Sequence, residues 1–211
     1  MALFEQIINT HSSFLGTLRH SFLDEDRKTA LQNFELKGFP TKKDEEYKYT
    51  NLKEITEKEY NFFPTEEHNI FKEQLDVLHL GEENFDRIVF INGKLHKEFS
   101  KISIGNAEFL SFGYALNDSA HKEAFDQYFN TIANRDLAFT NLNSAYCNFG
   151  FFLRVPKNVV IEKPIHIFYL SQNQEENTFY NTRNLLIVEE GAKVEIIESH
   201  HNFDESFVFT N

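Results

Sequence analysis

The sequence has no tryptophan and one cysteine among its 211 residues. A single cysteine excludes an intramolecular disulfide and fits a reducing cytoplasm. Base is scarce: 21 Lys and Arg stand against 33 Asp and Glu, a net charge of −12. That balance excludes nucleic-acid binding driven by counterion release and disfavours an anionic membrane surface. The acidity serves solubility or a basic protein partner. No apolar run approaches the ~20 residues that span a bilayer. The start, Met1 to Ile8, has neither a basic n-region nor a continuous apolar stretch, so it does not read as a signal peptide. G-x-x-x-x-G-K-[ST], G-x-G-x-x-G and G-x-S-x-G are all missing, which removes the usual phosphate cradles and the serine nucleophile elbow.

What is present suits a large core. Apolar residues make up 41% of the chain and include 24 phenylalanines. The first third reads helical. Leu3, Phe4, Ile7 and Ile8 recur at helical spacing, as do Phe14, Leu15, Leu18 and Phe22. Asp24 is expected to cap a second helix with Ala30, Leu31 and Phe34 as its buried stripe, stopped by Gly38 and Pro40. The charged stretch 41–51 reads as a solvated loop carrying Tyr47 and Tyr49. A polar connection at Thr65 to Asn69 and a change of texture near Arg87 place a domain boundary near residue 84. Asn92-Gly93 between two runs signals a β-hairpin. A helical insertion is expected at about 115–145, with Ala120, Ala124, Phe125, Phe129 and Ile132 on one face and Asp118 or Ser119 as cap.

From Phe149 onward the chain reads as short strands at 151–155, 159–161, 165–170, 184–188, 193–198 and 207–209. Uninterrupted apolar runs such as Leu185 to Val188 suggest strands covered on both faces, yet no helical pattern separates them. Stacked coils with irregular corners satisfy both observations, and a jelly-roll sandwich is the alternative. In the stacked arrangement 151–170 pairs in parallel with 184–198, and Ile161, Ile165 and Ile167 lie against Leu185, Ile187 and Val194. The open end at 207–211 is then an unpaired edge that invites self-association.

Few residues suggest chemistry. Cys147 has no base beside it in sequence and reads as a buried structural thiol. His200 and His201, with Glu198, Asp204 and Glu205, form the densest group of possible metal ligands. Adjacent strand residues point to opposite faces, which argues against both histidines holding one ion. His166 reads as a face histidine with a satisfied hydrogen bond. No residue is assigned a catalytic, cofactor-binding or metal-binding role.

Four segments, in order, resemble the SufB/SufD iron–sulfur cluster assembly family, its SufD branch in particular. They are "KGFPTKKDEEYKYTNL" (37–52), "DRIVFINGKL" (86–95), "LAFTNLNSAYCNFGFFLRVPKNVVIEKPIHIFY" (137–169) and "NLLIVEEGAKVEIIESH" (184–200). In the first, Phe39, Tyr47 and Lys48 stand where the family has leucine, tryptophan and arginine. The resemblance implies a helical N-terminal domain at 1–84. It also implies the first coils of a right-handed parallel β-helix at 85–211. It further implies a non-enzymatic scaffold subunit of a cytoplasmic SUF-type complex, paired with a SufB-like paralogue and a SufC-like ATPase. The iron–sulfur cluster would be handled by the full complex and not by this chain alone. Against the family pattern the later coils are missing, so the chain is expected to be an N-terminal piece. A competing reading is a β-solenoid or jelly-roll module that binds carbohydrate or protein, exposing Phe151, Phe168 and Phe209 as platforms.

Overall fold

The computed structural model describes residues 2–19, 22–63, 84–172, 176–203, 205 and 208–209. The N-terminal region is helical. Helix α1 (Leu3–Thr17) buries Leu3, Ile7, His11 and Phe14, one stripe at helical spacing. The chain leaves the helix at Leu18, in an extended conformation, so Phe22 does not continue the stripe. Helix α2 (Asp24–Lys37) buries Arg27, Ala30 and Phe34. Asp24 is the first residue of α2 and not its cap; its carboxylate pairs with Arg27 at 3.2 Å. Gly38, at φ +69°, ends α2 by donating to the Phe34 carbonyl. In the charged 41–51 stretch, Tyr49 is exposed while Tyr47 packs on Phe139. A short helix α3 (Lys53–Thr56) follows. The polar connection at Thr65 to Asn69 lies outside the described residues.

Strand β1 (Asp86–Ile91) is buried along its whole length and turns back into β2 (Lys94–Leu95). Asn92 and Gly93 both take positive φ, 48° and 84°, as a two-residue hairpin of the type I′ kind requires. Strand β3 (Glu108–Ser111) runs directly into helix α4 (Phe112–Asn117). A 3₁₀ turn at Ser119–His121 leads to α5 (Lys122–Tyr128), and the Asp118 carboxylate accepts from Ala120 N. The helical face expected to run from Ala120 to Ile132 is cut short. It stops at Tyr128, Asn130 takes φ +59°, and Ile132 is 94% exposed. Helix α6 (Ala138–Tyr146) closes the insertion.

The remaining strands are β4 (Cys147–Phe149), β5 (Phe151–Val155), β6 (Ile165–Ser171), β7 (Thr178–Phe179), β8 (Asn181–Thr182), β9 (Leu185–Val188), β10 (Ile196–Asn202) and β11 (Val208–Phe209). The right-handed parallel β-helix expected from the sequence is not what the chain forms, nor is a jelly roll. The described strands form four small sheets that mix parallel with antiparallel: β10-β6-β1-β2, β3-β5-β9, β4-β8 and β11-β7. The hairpin turns β2 back against β1, and β3 runs antiparallel to β5. The premise of strands covered on both faces fails for β9, where Leu186 and Val188 are 41% and 43% exposed while Leu185 and Ile187 face inward, and holds for β6, which is buried at every position but His166.

The individual parallel pairings are present: β5 with β9, in the register Phe152 to Leu185, and β6 with β10, Ile165 to Ile196. Residues 159–161 contribute one bridge, Val160 to Lys193, and no strand. Ile161, Ile165 and Ile167 pack with Val194 and Ile196, whereas Leu185 and Ile187 join the cluster under α4 and α5. A third cluster joins α1, α2, Tyr60 and Phe62 to α6 and Phe179. Among the described residues, no helix is long and apolar enough to cross a membrane.

Candidate functional site

Cys147 sits where α6 passes into β4. It is 1% exposed and packs with Phe112, Phe125 and Phe152. Its thiol donates to the Ser144 carbonyl at 3.5 Å, and its own carbonyl accepts from Arg27 Nη2 at 2.9 Å. Burial pushes the thiol pKa up, against a smaller opposing pull from Arg27 and Arg183. The sulfur is buried, as the reading of a structural cysteine expected, and burial disfavours the thiolate that nucleophilic attack or metal ligation needs.

His200 and His201 fall on β10, the outer strand of its sheet among the described residues, opposite Tyr169 and Leu170 of β6. The His200 ring stacks on Tyr169 at 4.7 Å, while His201 lies beside Phe168 and Phe203. The two rings thus take opposite faces and do not converge. Glu198 turns to Asn184, and Asp204 lies outside the described residues. His166 Nε2 lies 2.7 Å from Ser199 Oγ, with its ring stacked on Phe168. Two of the three platforms of the carbohydrate reading are buried, Phe151 and Phe168 being 2% and 1% exposed, and the side chain of Phe209 lies outside what the structure describes.

Sequence reasoning missed two features. The first is a polar junction beside Cys147. Arg183, in the step between β8 and β9, donates to Asn143 Oδ1 at 3.0 Å and to Asn130 Oδ1 at 2.7 Å. Asn130 Nδ2 then donates to Asp26 on α2, which also pairs with Arg135. The Arg183 guanidinium lies over the Phe129 ring, 5.1 Å from its centroid. These residues are far apart in sequence, so only the positive φ of Asn130 was signalled, weakly, by its type.

The second is a cavity of about 380 Å³ between the C-terminal half of α1, the β1–β2 hairpin and the β7–β8 stretch, walled largely by aromatic rings. The hairpin turn shapes one wall. A Cβ on Gly93 would come within 2.6 Å of the Phe149 ring, so the glycine both supplies φ +84° and leaves room for Phe149.

Residues 2–167 match the family model for the SufBD protein N-terminal region. The chain belongs to the SufBD family. A Synechocystis protein named as an iron–sulfur cluster assembly SufBD family protein is 28% identical over 195 residues, 92% of this chain and 42% of the relative. A Staphylococcus saprophyticus protein of the same description is 35% identical over 79 residues, 37% of this chain and 17% of that protein. A Staphylococcus aureus relative is 34% identical over the same length. The SufBD chain thus spans about four-tenths of the length of the Synechocystis relative.

Proposed function

We propose that this SufBD chain acts in iron–sulfur cluster assembly as part of a SufD-like scaffold subunit, without catalysis of its own. The family match over residues 2–167 carries this reading, and the names of its relatives supply the process. The enclosed Cys147 supports a structural role, because the chain's only thiol faces its core. The cluster is then cargo of a cytoplasmic complex whose other members are a SufB-like paralogue and a SufC-like ATPase. The reading includes self-association through open strand edges. Among the described strands, β9 pairs only with β5, β10 only with β6 and β11 only with β7. Leu186, Val188 and Ile197, each about two-fifths exposed, add apolar surface to β9 and β10.

The test is affinity purification of the tagged protein from its own cells under anaerobic conditions. Recovery of both other subunits in fixed stoichiometry is the expected result. Recovery of neither, or a stable brown cluster on the isolated 211-residue chain after reconstitution with iron and sulfide, refutes the reading.

A further inference from the structure

We propose that the aromatic cavity is a binding site for a small planar aromatic anion. Its volume, about 380 Å³, lies in the range typical of small-molecule sites. Phe14, Phe62, Tyr146, Phe149, Phe179 and Tyr180 line it. Several of these rings already pack on one another, Phe62 on Phe179 at 4.3 Å and Phe14 on Tyr146 at 4.8 Å. Walls of that kind favour a flat π-system, which can meet them by stacking or by edge-to-face contact.

Two observations add polar character to the ligand. Asn181 lines the cavity and is 1% exposed, yet neither its Nδ2 nor its Oδ1 has a hydrogen-bond partner. Buried amides are normally paired, so one donor and one acceptor remain for a guest. Lys94 also lines the cavity. A second hollow of about 190 Å³ shares Thr17 and Asn148 with the first, and Arg19 and Arg27 line it. Arg27 is held by Asp24 and the Cys147 carbonyl, which leaves Lys94 on the first hollow and Arg19 on the second as the lining cations, in a chain whose net charge is −12. An aromatic body in the cavity with a carboxylate or sulfonate directed toward Lys94 uses the rings, the Asn181 amide and that cation.

The probe is 1-anilinonaphthalene-8-sulfonate, followed by fluorescence and equilibrium dialysis on protein shown to melt cooperatively. Saturation at one probe per chain is expected. Lys94→Glu should weaken it about ten-fold while leaving the uncharged N-phenyl-1-naphthylamine unaffected. Asn181→Leu separates binding from structure. Removing an unpartnered buried amide should leave the melting temperature unchanged or higher, yet binding should fall. Phe63→Ala changes a wall residue that is 44% exposed, so it should fold and weaken both probes, which covers a Lys94→Glu variant that fails to fold. Binding that does not saturate overturns the proposal, as does full affinity in folded Lys94→Glu or Phe63→Ala protein. The proposed assembly role stands or falls separately, by subunit recovery.

Discussion

Arg183 donates to the side-chain carbonyl of Asn143 at 3.0 Å, joining the β8–β9 step to α6. The same guanidinium reaches Asn130, and through it Asp26 on α2. One charged side chain thus holds three parts of the chain that no local signal brings together. Burial lowers the Arg183 pKa, and the guanidinium still stays charged because its ordinary value is so high. Arg183→Met keeps the apolar stem but removes the charged hydrogen bonds to Asn130 and Asn143. A loss of about 1.5–3 kcal/mol is expected, the scale of a hydrogen bond to a charged group. Chemical denaturation measures it. Asn143→Leu should cost a comparable amount, and the double variant should cost less than the sum, because both remove one network. Strict additivity would mean that the residues do not act together.

Cys147 offers a second check. Its thiol is enclosed and its pKa is raised by burial, so the thiolate population at neutral pH is small. Native protein should react with a chromogenic disulfide reagent at the rate of its unfolding, and at once in denaturant. Rapid stoichiometric labelling of the native chain would place the sulfur at the surface. Cys147→Ser should destabilise, since a smaller, more polar group among Phe112, Phe125 and Phe152 loses packing and has only the Ser144 carbonyl within the thiol's reach.

These two sites show which parts of the fold were legible. Leu3, Ile7 and Phe14 announced α1, because helix burial repeats within a few residues. Asn92-Gly93 announced its hairpin, because the turn conformation belongs to those two residues. The arrangement of sheets was not announced. Leu185 to Val188 is apolar throughout, and sequence alone could not show that Leu186 and Val188 point outward. The antiparallel return of β3 onto β5 matches Phe109 to Leu153, a pairing set by the helices between them. Ile132 misled because Asn130 turns the chain before the helical face can continue. The polar junction and the aromatic cavity depend on contacts across long stretches of sequence, and no periodicity encodes those.

A pH dependence follows from His11. Its Nε2–H donates to the Ala145 carbonyl at 3.1 Å, and its ring meets Tyr146 edge-on. Burial holds its pKa below the ordinary 6.5, with Arg27 and Lys28 adding to the shift against the raising effect of the Ala145 carbonyl. The unfolded chain therefore takes up this proton near pH 6.5 and the folded chain only at lower pH. Below about 6.5 the unfolded state binds more protons, so this contribution to stability falls as pH drops through that window. His11→Gln keeps a donor for Ala145 without the titration. The stability lost between about pH 7.5 and about pH 5.5 should be smaller in the variant than in the wild type. Equal losses would remove His11 as a source of acid sensitivity.

Gly150 marks the closest approach among the described glycines. It separates β4 from β5 at φ +112°, and an added Cβ would stand 2.2 Å from the Arg183 carbonyl oxygen. The backbones cannot part freely there. Arg183 N donates to the Phe149 carbonyl at 2.8 Å, Phe112 N to the Gly150 carbonyl at 2.9 Å, and Phe151 N to Asn184 Oδ1 at 3.2 Å. Gly150→Ala must either break these bonds or hold an alanine in a strained conformation, which alone costs about 1–3 kcal/mol. Any shift also moves Arg183 away from Asn130 and Asn143. The melting temperature should fall by about 2–4 °C for each kcal/mol lost. Gly16 is the internal control. It lies in the last turn of α1 with open space around it, so Gly16→Ala should stabilise by up to about 0.5 kcal/mol through helix propensity. Opposite signs in the two variants are the expected result. A Gly150→Ala protein as stable as the wild type would show that β4 and the β8–β9 step do not approach this closely.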